Sequence, residues 1–133
     1  MALTTPQRVR NRINQRVLDI GDDKIGEYID ESQAYMEERV GATWTDDGSA
    51  KFKLARGCCT DLAAVLSIQF VLFGRKMGLN YRMDELQIDK SDKQKSMLSQ
   101  MFNIRMDAER KFKELEKYTD GLPMPSTFNP AGG

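Results

Sequence analysis

Chemistry in this sequence rests on charged side chains, because the residue types that most often carry catalysis are missing or poorly spaced. Histidine is absent, which removes the imidazole base of Ser–His and Cys–His pairs near neutral pH. The cysteines, Cys58 and Cys59, are adjacent. That spacing cannot build a metal site alone, and a vicinal disulfide is strained, so both read as small, reduced core residues. Asp84, Glu85 and Asp89 come nearest to a carboxylate cluster, but their flanks fit no metal motif, and no phosphate loop, dinucleotide fingerprint or zinc spacing is present. The expectation is a protein that is not an enzyme and takes no cofactor or metal.

Charge can still recognise. Arg8, Arg10, Arg12 and Arg16 lie in residues 1–16, which contain no acid. Residues 17–47 then carry Asp19, Asp22, Asp23, Glu27, Asp30, Glu31, Glu37, Glu38, Asp46 and Asp47 against Lys24 and Arg39 alone. The chain as a whole is neutral, with 20 basic and 20 acidic residues, so it has little general attraction for a polyanion. A neutral chain with one basic and one acidic element can instead attract a copy of itself, and such a heterologous contact closes into a ring when the rotation permits. Arg8, Arg12 and Arg16 are the candidate basic side of that contact, and Asp30, Glu31 and Glu37 the acidic side. The alternative is that the two segments neutralise each other within one chain. A functional rival is a small helical DNA-binding regulator holding phosphates with the N-terminal arginines. It lacks interleaved aromatics and a helix-turn-helix pattern.

These groups are positioned by elements whose period is helical throughout. At 133 residues the chain makes one domain, burying roughly two-thirds of the surface it exposes unfolded. Thr5-Pro6 predicts a capped helix start, with Val9, Ile13 and Val17 as a narrow apolar stripe. Gly21 is expected to stop that helix and Asp22-Asp23 to cap the next. In that second helix Ile25, Tyr28, Ile29, Ser32, Met36 and Val40 share a face up to Gly41. Residues 41–50 read as a loop in which Trp44 pins the chain to the core. Lys51–Met77 is the most apolar helix, broad enough in its apolar face to be central, with Leu66 and Phe70 in its main stripe and Gly78 at its end. No uninterrupted apolar run reaches a membrane span, and the arginine-rich N-terminus has no apolar core of a secretory signal.

Leu79–Lys90 lacks helical pattern. Ser91 or Asp92 can then cap a last helix with Met97, Leu98, Met101, Phe102, Ile104, Ala108, Phe112 and Leu115 as its buried stripe. The alternating charges of 107–117 on that helix read as a solvated face supported by pairs three and four residues apart. Residues 121–133 hold Pro123, Pro125 and Pro130, which forbid a regular helix, with Leu122, Met124 and Phe128 spaced among them. These three are candidate anchors for docking onto a neighbouring protein, the alternative being a simply disordered tail. The expected fold is all-α: a helical domain over 1–120, built as a bundle of four principal helices with a short extended insertion around Met83–Asp89, and an extended proline-rich arm over 121–133.

The acidic stretch Asp22-Asp23-Lys24-Ile25-Gly26-Glu27-Tyr28-Ile29-Asp30-Glu31, running through Ala34-Tyr35-Met36-Glu37-Glu38-Arg39-Val40-Gly41, resembles the small head–tail connector (adaptor) proteins of tailed bacteriophages. The middle apolar helix and Asn80-Tyr81-Arg82-Met83-Asp84-Glu85-Leu86-Gln87-Ile88-Asp89-Lys90-Ser91 before a charged helix are similar to that family too. The resemblance spans about residues 5–118. It implies an all-helical structural subunit made in the host cytoplasm and located in the virion at the head–tail interface. It also implies a homo-oligomeric ring, typically twelvefold, under the portal protein. The ring extends the DNA channel, passes genomic DNA without reading its sequence, and presents a surface to the next neck or tail protein. No membrane partner is expected.

Overall fold

The computed structural model describes residues 3–13, 20–74, 78–79 and 92–120. They form four helices packed as an all-α bundle: α1 (Pro6–Ile13), α2 (Asp22–Val40), α3 (Ala50–Phe73) and α4 (Asp92–Asp120). No strand occurs among the described residues. The expected extended insertion and the C-terminal arm lie outside them.

Helix ends follow local chemistry. At α1, Thr5 Oγ1 accepts from the Arg8 N–H at 3.3 Å, the expected cap, and Pro6 occupies the first helical position. At α2 the cap is Gly21, without a side-chain bond, so Asp22 and Asp23 do not cap. They sit in the first turn, where their charge meets the positive end of the helix. Ser49 caps α3, its Oγ accepting from the Phe52 N–H at 3.1 Å. Two glycines close helices in the left-handed region: Gly41 (φ 76°) after α2 and Gly74 (φ 75°) after α3, bonding Glu37 O and Phe70 O. The expected run of the third helix to Met77 is therefore too long; Gly74 ends it at Phe73. Asp92 is the first residue of α4 and not its cap.

Every residue from Cys58 to Gln69 is buried, so α3 is the central element, packed against α1, α2 and α4. By length and composition it could cross a membrane, a property the sequence reading did not give it. Here its apolar surface meets the other helices, and 72% of the apolar window is buried inside the fold. Leu66 is fully buried, whereas Phe70 is only partly so and packs at the core margin beside Tyr28. Trp44 is partly buried against the core, as the loop reading requires.

Polar groups lock the packing. Gln69 pairs with Gly78 twice, its Nε2 donating to the carbonyl (2.9 Å) and its Oε1 accepting from the N–H (3.0 Å), which holds residue 78 against α3. Arg39 of α2 forks onto Glu109 of α4 at 2.6 and 3.1 Å, with its guanidinium 4.1 Å from the Phe112 ring centre.

Candidate functional site

Between Gly57 and Gly74 the only ionisable side chain besides the two thiols is Asp61, and it is 1% exposed. A carboxylate removed from water must be paired, since the desolvation penalty is several kcal/mol. The Arg12 Nε donates to Asp61 Oδ1 at 2.8 Å and the Lys111 Nζ to Oδ2 at 2.6 Å. The Arg12 guanidinium also reaches Asp107 Oδ2 at 2.6 Å, and Asp107 in turn pairs with Arg110. One buried carboxylate thus ties α1, α3 and α4 into a single register.

Over this network lies a cleft of about 620 Å³. Arg8, Asn11 and Arg12 of α1 line one wall, and Lys53, Arg56, Gly57 and Thr60 of α3 the other, with Asp61 and Lys111 also contributing. Its cations outnumber the lone carboxylate. Arg8 and Lys53 are exposed and have no ion-pair partner among the described residues. Arg56 is held in place by the Leu3 carbonyl (3.2 Å) and by the Phe52 ring, whose centre is 4.7 Å away, with a long contact to Asp46 (3.5 Å). The Lys111 side chain passes close over Gly57, where a Cβ would lie 3.5 Å from it, an ordinary contact distance. A second depression of about 580 Å³ shares Lys111 and runs along α4, lined by Arg110, Lys113 and Lys117 together with Asp107 and Glu114, which pair with Arg110 and Lys117.

The acids of α2 occupy a different surface. Asp23, Glu27, Asp30, Ala34 and Glu38 are all exposed, and their spacing of three and four places them on one side of the helix. Asp23, Asp30 and Glu38 have no ion-pair partner among the described residues; Glu27 has a 3.7 Å contact with Lys24. No α2 residue lines either depression.

The residues singled out in the sequence therefore separate. Arg8 is on the cleft rim. Arg12 was assigned to a neighbouring subunit, but its guanidinium is engaged inside the chain by Asp61, which the sequence reading passed over, and Asp107, which it placed on a solvated face. Asp30 is in the exposed stripe, while Glu31 and Glu37 are half-buried beside it, Glu37 accepting from Gln33 at 3.2 Å. Internal neutralisation of the two charged segments amounts to one pair among the described residues, Arg10 with Asp22 at 2.7 Å. Arg16, Leu122, Met124 and Phe128 lie outside the described residues. Lys53, Arg56 and Lys111 were missed because nothing in local spacing tells a cleft cation from a solvated one. Asp61 did leave a signal, as the lone acid of α3.

The buried thiols are poorly suited to nucleophilic work. Desolvation pushes both upward, Cys59 to about 12. Their Sγ atoms sit 3.7 Å from the Ala108 and Ile29 carbonyls. No cluster of three or more ligating side chains occurs among the described residues. The arrangement is built to bind charge. No family model, curated protein or solved structure matches the chain.

Proposed function

We propose that this chain is a structural subunit of a tailed-bacteriophage head–tail connector, assembling as a ring beneath the portal, extending the DNA channel and docking the next neck or tail protein. The observation that carries the reading is the separation of charge onto two surfaces of one small helical fold: a cationic cleft where α1, α3 and α4 meet, and an exposed acidic stripe on α2. Within one neutral chain these surfaces leave each other unpaired, which favours head-to-tail association of copies. The resemblance of residues 5–118 to head–tail adaptors supports the same reading. In it, Leu122, Met124 and Phe128 of the arm anchor the ring to the portal, and DNA passes through without base contacts.

The rival regulator draws less support. Of the described α1 arginines, Arg10 is held by Asp22 and the Ile20 carbonyl and Arg12 by Asp61 and Asp107, leaving Arg8 to meet phosphate. The test is to image the purified full-length protein alone and with portal-bearing capsids. Rings, and co-sedimentation with the capsids that is lost on truncation after Asp120, are expected. A monomer that ignores the portal and shifts short DNA duplexes at low salt overturns the proposal in favour of the regulator.

A further inference from the structure

We infer that the cleft between α1, α3 and α4 is the seat for the acidic stripe of α2 from a second copy of this chain. The inference rests on the ring reading above and names its contact. Sign and availability agree. Arg8 and Lys53 line the cleft without ion-pair partners among the described residues, and Arg56 is held beside them by the Leu3 carbonyl and Phe52, with a long contact to Asp46. The two cations of the floor, Arg12 and Lys111, are already engaged by Asp61 and Asp107, so the attraction for a further anion comes from the rim.

Shape agrees as well. Asp23 to Glu38 spans about 22 Å of straight helix at 1.5 Å per residue, which suits an elongated receptor better than a point anion site. The receiving surface is elongated, since the cleft shares Lys111 with the depression along α4, where Arg110 and Lys117 are paired with Asp107 and Glu114 and Lys113 has no ion-pair partner among the described residues. Ala34, exposed in the middle of the stripe, offers no bulk to hold the carboxylates away from the rim. The contact is heterologous, cleft to stripe, so each subunit gives one surface and receives with the other, the geometry that closes a ring. Exposed ion pairs set register and orientation here, and their contribution falls as salt rises.

The experiment uses full-length protein and two reversals that leave the Asp61 network intact. One carries Arg8→Glu with Lys53→Glu, the other Asp23→Lys with Asp30→Lys. Assembly is followed by sedimentation velocity at low salt, with far-UV circular dichroism melts checking the fold. Each reversal alone sets like charges against each other and should raise the concentration needed for assembly by roughly tenfold or more. An equimolar mixture should recover assembly, because each reversed surface then meets its reversed complement. The neutral pair Lys53→Gln and Asp30→Asn should weaken assembly in the same direction if either reversal fails to fold.

Reversals that assemble like the parent overturn this seat while leaving the ring intact. Reversals that fail alone and also fail when mixed overturn it too. A parent that stays monomeric with and without portal overturns the ring reading itself. A cleft reversal that assembles normally but loses fluorescence-anisotropy binding to a short DNA duplex makes the cleft a phosphate seat instead.

Discussion

Replacing Arg12 and Lys111 together by methionine leaves the buried Asp61 carboxyl without either of its partners. Asp61 is 1% exposed and holds both cations within 2.8 Å. Stripping a buried charge of its partners costs about 3–5 kcal/mol, a large part of the roughly 5–15 kcal/mol that holds a small domain together. The converse change, Asp61→Asn, is milder. Arg12 keeps Asp107 at 2.6 Å, and with Arg12 32% and Lys111 31% exposed both cations reach water, so the loss is about 1–2 kcal/mol. Adding Asp61→Leu to the double methionine variant removes the orphaned charge and should recover much of the deficit, since apolar replacement of a buried ion pair is often close to neutral. Urea unfolding followed by far-UV circular dichroism measures all three variants. If Asp61→Asn is the most destabilised, or the triple variant is weaker than the double, Asp61 is not the buried anchor of α1 and the account of the cleft floor fails.

Four further outcomes follow from particular contacts. Leu66→Ala, at a fully buried site, should cost about 2–5 kcal/mol, and Phe70→Ala, at a partly buried one, only about 1–2 kcal/mol; equal urea midpoints contradict the placement of α3. Gly74→Ala forces a side chain into the left-handed region (φ 75°) and should lower stability by about 1–2 kcal/mol, read as a lower thermal midpoint. The Arg39 hydrogen bonds hold Glu109 below its ordinary carboxylate value. Its stabilising contribution is therefore present at neutral pH and is lost as pH falls through that lowered value. NMR titration should show a low midpoint that Arg39→Gln moves back up. Cys58 and Cys59 are buried with raised thiols, so a thiol reagent should label them only as fast as urea opens the fold; rapid labelling of native protein contradicts their burial.

Helix number and type, and much of the core, were legible in the sequence because they rest on local physics. Thr5-Pro6 and Gly41 act through bonds to residues within one turn. The buried sides of α2 and α4 follow the 3.6-residue period of Ile25, Ile29 and Met36, and of Met101, Ile104 and Phe112. The breadth of apolar surface on α3 placed it at the centre, because such a helix is stable only when every side is covered. Charge was legible as composition but not as partnership. Arg12 meets acids 49 and 95 positions away, and Glu109, which local spacing pairs with Arg105, is also bound by Arg39 from 70 positions away. Local pairing on α4 survives at Arg105–Glu109, Asp107–Arg110 and Lys117–Glu114, but Asp107 and Lys111 also belong to the network across helices. A carboxylate pairs with whichever cation the backbone delivers when the apolar faces close. Those faces set the approach of α1 and α4 to α3, and so tertiary packing alone decided which arginine is engaged within the fold and which stands free at the cleft.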